Sequence, residues 1–270
     1  MIRKPFLALV FIAGVFLFAA CKKNDSIFGN TTTNNNNNNS QDTAKTPVYS
    51  MVWSDEFNGT SVDTSKWVFE KGGGGWGNNE LEYYQANNAT VENGNLVITA
   101  KRETVGSNNY TSTRMNTLGK FTQAYGRIEA RIKMPVGMGT WPAFWMLGAN
   151  IGTVSWPTCG EIDIMEHINA DSLIHGSLHW NGGNTSQQIT STPSQYHIYA
   201  VEWNLTQIRF YVDNTLYDTE NVAAIPAFRL PFFIVLNLAV GGNWPGFTID
   251  NSLFPQKMYV DYVRVYKQTN

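Results

Sequence analysis

Between Val48 and Lys267 the chain offers one strand-length segment after another and no sustained helical period. Ala89–Glu92 and Leu96–Lys101 flank Asn93-Gly94, a pair suited to a two-residue hairpin turn whose central residues both need positive φ. Ile208–Val212 and Leu216–Asp218 flank Asp213-Asn214 in the same way. Arg127–Lys133 alternates polar and apolar residues, the mark of a half-exposed strand. Phe232–Val240 is almost continuously apolar, as a strand covered on both faces should be. Met258–Tyr266 closes the chain as a further strand. Many short strands punctuated by Gly, Asn and Pro predict an antiparallel sandwich or barrel. With no internal repeat and no second linker, residues 48–270 read as one domain.

The first 47 residues read differently. Arg3 and Lys4 precede an apolar stretch, Leu7 to Ala20, that is too short for an ordinary membrane span and suits a signal peptide. It ends at Ala19-Ala20-Cys21, which resembles a bacterial lipobox, with Phe18 standing where Leu is usual. Residues 1–21 are therefore expected to direct export, with Cys21 lipidated as the membrane anchor. Residues 22–47 are rich in Asn, Thr and Ser, including six consecutive Asn, and cannot bury apolar surface, so a disordered tether is expected there. Cys159 is the one thiol left in the mature domain, so no internal disulfide is expected, and it reads as a packing residue. A net charge of −2 gives no electrostatic footprint for nucleic acid. Nine Trp beside only 15 % charged residues suit a surface that stacks on a neutral ligand such as a glycan, although part of that set must fill the core.

The chemistry concentrates in Glu161-Ile162-Asp163-Ile164-Met165-Glu166. Side chains alternate along a strand, so Glu161 and Asp163 share a face while Glu166 should oppose them. A single-residue bulge near Met165 would return Glu166 to the shared face. Two Glu backbones would then stand four strand steps, roughly 13 Å, apart. Side chains leaning together would bring the carboxyls to about 5–6 Å, close to the separation used in retaining glycoside hydrolysis. An exposed amphipathic strand is the bland alternative, but three like charges on one face repel and no cation interrupts them. A zinc site built on Glu166-His167 lacks the paired histidines and the helix it needs.

The ordered set Trp53–Phe57, Gly75–Tyr84, Tyr125–Arg131, Trp141–Leu147, Gly160–Glu166, Leu236–Gly242 and Val260–Tyr266 resembles glycoside hydrolase family 16, in its laminarinase-like branch. The resemblance spans essentially the whole domain. It implies an all-β jelly-roll sandwich of two curved antiparallel sheets with a glycan cleft on the concave face. It implies retaining endo-hydrolysis of β-1,3-glucosidic bonds in laminarin-like or mixed β-1,3-1,4-glucans, with no catalytic cofactor. Glu161 matches the nucleophile and Glu166 the acid/base, with Asp163 between them. The extra residue, Met165, matches the longer motif that red-algal galactan hydrolases share, so agarose, carrageenan or xyloglucan stand as alternative substrates. A non-catalytic glucan-binding module on the same fold would be expected to have lost a glutamate.

Asn79 and Arg114 match glucan-contacting positions, Trp141 and Trp145 share strand parity for stacking on sugars, and His179 matches a cleft position beside the catalytic strand. His167 and His175 read as structural, while Trp180 and Trp244 are open between cleft and core. A structural Ca²⁺ on the convex side is implied at Glu56, Gly94 and Asp261, mostly through backbone carbonyls. Strand parity groups Asp261 with Tyr259, Val263 and Val265, which predicts a buried carboxylate needing a partner, either that ion or an Arg or Lys. A monomer is expected.

Overall fold

In a computed structural model, residues 47–269 are described. The expected signal peptide, Cys21 and nearly all of the tether lie outside them.

Two antiparallel sheets face each other, as the resemblance implied. The outer sheet runs in the order Thr215–Asn221, Gln207–Val212, His197–Trp203, Gly126–Lys133, Gln256–Gln268, Asn95–Ala100 and Ala89–Glu92, with Tyr49–Asp55 also paired to Gln256–Gln268. The cleft sheet runs Gly183–Thr190, Leu173–Trp180, Glu161–Glu166, Thr140–Gly148, Phe232–Val240, Arg114–Asn116 and Val68–Phe69. The family fold, a jelly-roll sandwich, is therefore realised with two sheets of eight and seven strands. Asn93 and Gly94 both adopt positive φ, 52° and 73°, in the turn where the hairpin was expected.

The core lies between the sheets. Leu96, Ile98, Ile128 and Val263 of the outer sheet meet Phe144, Ile162, Ile234 and Leu236 of the cleft sheet, all of them buried. Each such side chain contributes about 1.5–3 kcal/mol by leaving water. All nine residues of Phe232–Val240 are buried, because its second face is covered as well. Phe233 and Val235 pack there with Leu147 and the fully buried Cys159, which is a packing residue as expected.

The outer sheet corrects the reading of Asp261. A register shift between Val260 and Tyr262 places the irregularity at Asp261, so Val260 and Val263 both point inward across it. Asp261 is half-buried on the outer face, where Arg131 Nη1 donates to its Oδ2 at 2.9 Å and the ring of Tyr196 lies under the same guanidinium. Glu56 is held by two hydrogen bonds from Arg264, at 2.9 and 2.8 Å. Both side chains at the expected calcium position are thus neutralised by guanidinium groups. As a set of side-chain donors, Glu56 and Asp261 do not fit a divalent cation in this arrangement. An ion there would have to rely on backbone carbonyls such as that of Gly94.

Candidate active site

The catalytic strand carries the expected bulge. Glu161 pairs with Leu147 and Asp163 with Trp145, but Met165 pairs with Phe144 and Glu166 with Ala143. The six residues Glu161–Glu166 therefore span five on the neighbouring strand, 143–147. Ile162, Ile164 and Met165 all enter the core, and Glu161, Asp163 and Glu166 all line the cleft. The one-residue slip converts what would be an outward acid into the third member of a cluster.

The cleft has a volume of about 750 Å³, within the range of roughly 300–1,000 Å³ typical of small-ligand sites. Trp141 and Trp145 stand on one side of the acids, on the Thr140–Gly148 strand; Trp244 closes one wall, and Trp156 is exposed at the rim. The Trp141 indole N–H donates to Glu166 Oε1 at 2.9 Å, and the Trp145 N–H donates to Asn237 Oδ1 at 2.8 Å. Arg114 lies over the rings of Trp76 and Trp145, 5.1 and 4.8 Å from their centroids, and is ion-paired with Glu70. His179 Nε2 stands 3.2 Å from Asp163 Oδ2 and 4.0 Å from Glu161 Oε1.

Crowding without a dedicated cation sets the electrostatics. Burial, then the charge of Asp163, pushes Glu161 up to about 8, opposed by His179, Arg114 and a hydrogen bond from Trp156. Burial pushes Glu166 up to about 7, with Trp141 opposing and the charge of Glu161 adding. Asp163, 3 % exposed, is held well above the ordinary carboxyl range by burial and by Glu166. A nucleophile and acid pair in its simplest form has a raised donor beside an ionised nucleophile. Instead all three acids are raised, because desolvation acts on each and Arg114, which opposes the rise at Glu161, is shared with Glu70. Such a cluster holds protons near neutral pH and can pass them, which suits general acid/base work. Glu161, Asp163 and His179 also bring ligand atoms within 4.8 Å of one another, but two of these are the proton-handling acids of the cleft.

A family model for glycosyl hydrolases family 16 matches residues 78–264. The chain belongs to that family. It is 40 % identical over 248 residues to a beta-glucanase of Rhodothermus marinus, covering 83 % of this chain and 87 % of that one. It is 44 % identical over 237 residues to the clotting factor G alpha subunit of Tachypleus tridentatus, covering 83 % of this chain but only 35 % of that longer one. Among solved structures, the laminarinase catalytic domain from Thermotoga maritima MSB8 aligns with a TM-score of 0.79 at 44 % identity, covering 82 % of this chain and 99 % of that one. The chain is accordingly a family 16 glycosidase.

Within this glycosidase, Arg114, Trp141, Trp145 and His179 line the cleft with the acids, as expected. Asn79 does not. It has φ 57° and donates to Asn243 Oδ1 at 2.9 Å in an exposed bridge, while its neighbours Trp76, Asn78 and Glu80 face the cleft. Positive φ at Trp76, Gly77 and Asn79 winds the loop so that strand alternation does not apply. His175, read as structural, faces the cleft opposite Glu166 and meets Trp244 edge-to-face at 4.9 Å. Trp180 packs against Phe228 instead, and Trp244 lines the cleft. Asn237 and Trp156 were missed. Asn237 is the lone polar residue in an otherwise apolar strand, which is a signal the sequence did contain.

Proposed function

We propose that the glycosidase is a retaining endo-β-1,3-glucanase acting on laminarin-like and mixed β-1,3-1,4-glucans. The observation that carries this reading is the bulge that turns Glu166 onto the face of Glu161. Relatives named as beta-glucanase and laminarinase support the substrate class. In the first step a Glu161 carboxylate oxygen attacks the anomeric carbon while Glu166 gives its proton to the departing glycosidic oxygen. The C–O bond to the leaving sugar breaks and a glycosyl ester on Glu161 forms. Glu166, now ionised, takes a proton from water as that water attacks the anomeric carbon and expels Glu161. Asp163 buffers charge between them, held by His179 at 3.2 Å.

Electrostatics favours a neutral glucan over a sulfated galactan. Four acids, Glu80, Glu161, Asp163 and Glu166, line the cleft, and Arg114, its one lining Arg or Lys among the described residues, is already paired with Glu70. A sulfated chain would meet uncompensated negative charge. Side-by-side digestion of laminarin, barley mixed-linkage glucan, agarose and carrageenan tests this. Short oligosaccharides from the two glucans alone are expected, and NMR should show the β-anomer first. Prior release of the α-anomer would sink the double displacement, and preferential cleavage of agarose or carrageenan would overturn the substrate. Export through residues 1–21, anchoring at Cys21 and a monomeric state complete the proposal, on the strength of the N-terminal sequence pattern for the first two.

A further inference from the structure

Two glutamates that take no part in the chemistry lie at the cleft floor, Glu80 facing the cleft and Glu82 behind it. Glu82 is fully buried and Glu80 is 6 % exposed. The Val240 N–H donates to Glu82 Oε2 at 2.6 Å, and the Leu81 N–H donates to the Val240 carbonyl at 2.9 Å. Residues 81–82 thereby grip the end of Phe232–Val240 where Gly241 and Gly242 lead off toward Trp244. Little room is left at that exit: a Cβ on Gly242 would stand 3.5 Å from the Trp141 ring and 3.6 Å from Glu80 Cγ.

Glu80 connects in the other direction. Its Oε1 accepts from Asn78 Nδ2 at 3.2 Å and its Oε2 accepts from the Tyr84 hydroxyl at 2.9 Å. The Tyr84 oxygen accepts from Asn237 Nδ2 at 3.1 Å, and Asn237 Oδ1 accepts from the Trp145 indole at 2.8 Å. Every donor in this chain has one direction, because an indole can only donate and an ionised carboxylate can only accept. Glu80 and Glu82 lie close enough for the charge of one to act on the other, and two buried carboxyl groups side by side are stable only with a proton between them. Glu82 Oε1 is buried with no other donor to meet it, and burial together with the charge of Glu80 holds Glu82 well above the ordinary carboxyl range.

We propose that Glu82 and Glu80 share one proton, with Glu82 donating, and that their relay through Tyr84 and Asn237 positions the Trp145 platform, Asn78 and the root of the Trp244 loop for binding glycan. These are positioning residues, and the assignment rests on the reading of the cleft as a glycan site.

Kinetics on a β-glucan with Glu82→Gln, Glu82→Ala, Glu80→Gln and Tyr84→Phe tests it. Gln at 82 supplies an N–H donor in place of the acid O–H and a carbonyl for Val240, so it should keep the parental KM and Tm. Glu82→Ala should lower Tm. Glu80→Gln and Tyr84→Phe should raise KM by about tenfold, the loss of one buried hydrogen bond, with kcat within about twofold. The effects of Tyr84→Phe and Trp145→Phe on KM should be non-additive. Loss of Tm or rise of KM in Glu82→Gln equal to that in Glu82→Ala would overturn the shared proton. A parental KM in Tyr84→Phe, or a fall in kcat alone, would overturn the relay. Should the parent cleave no β-glucan, the substrate reading fails, while the Tm contrast between Gln and Ala at position 82 still decides the acid pair.

Discussion

The two sheets place the same side chains in opposite electrostatic company. On the outer sheet, Glu56 is doubly bonded to Arg264, Asp261 to Arg131, and Glu129 and Glu202 to Arg127. The Arg264 guanidinium is in turn held well above its ordinary pKa by Glu56. Tyrosine rings complete this layer, with Arg264 lying 3.9 Å from the Tyr262 centroid and Arg127 5.4 Å from that of Tyr211. In the cleft, Glu161 and Asp163 are comparably buried, at 17 % and 4 % side-chain exposure, yet their basic company is His179 and an Arg114 already engaged with Glu70. Paired acids serve as fixed structure. Acids deprived of partners keep protons they can give away, and their mutual repulsion is tolerated because the bulged strand is fixed by Ile162, Ile164 and Met165 in the core.

The comparison breaks most visibly at Glu161. Glu161→Ala should reduce turnover by on the order of 10⁴-fold or more, with azide restoring activity as a glycosyl azide. Glu166→Gln should cost about 10²–10⁴-fold on natural glucan and much less on substrates whose leaving group needs no proton. Initial-rate assays on both substrate types check the pair. Near-parental turnover in Glu161→Ala would remove it from the chemistry, and equal losses on both substrates would remove Glu166 from the acid role.

The cleft acids were legible in the sequence because strand alternation fails there in a way chemistry would want: three acids at 161, 163 and 166 face one sugar only if one residue is extra. The hairpin at Asn93-Gly94 and the covered strand Phe232–Val240 were legible from turn chemistry and an unbroken apolar run. Asp261 was misread for the same kind of reason that Glu166 was read well. A shift in strand register, invisible in the pattern Tyr259, Asp261, Val263, Val265, moved it to the outer face beside Arg131. Asn79 failed because its loop carries positive φ at four of the five residues from Gly75 to Asn79, where neither period applies. The partners of Asn237, Trp145 and Tyr84, lie 92 and 153 residues away, far beyond any local pattern.

The pH dependence sharpens the contrast. With Glu166 near about 7 and Glu161 near about 8, kcat/KM should trace a narrow bell with its maximum between those values. The two limbs belong to the coupled cluster rather than to single residues. Measured with an activated substrate, Glu166→Gln should leave a single limb. A broad plateau from pH 5 to pH 9 in the parent would contradict the crowding.

The smallest effect concerns stability, and its sign differs between the sheets. Carboxyls raised in the folded state bind protons there that the unfolded chain releases at about pH 4. Their contribution to stability is full below that pH and is lost as pH climbs through the folded values near 7 and 8. Asp163→Asn removes one buried negative charge, so at pH 8 it should raise stability by about 1 kcal/mol, or about 2–4 °C in Tm, while impairing catalysis. At pH 5 that gain should be smaller, because the raised Asp163 carboxyl takes up its proton more readily as pH falls. Glu56→Gln strips Arg264 of its partner and should lower stability by up to about 1 kcal/mol, since both side chains keep some solvent. Thermal denaturation of the two variants at both pH values decides the matter. A shift of the same sign at pH 8 would mean that partnering, rather than burial alone, does not distinguish the two sets of acids.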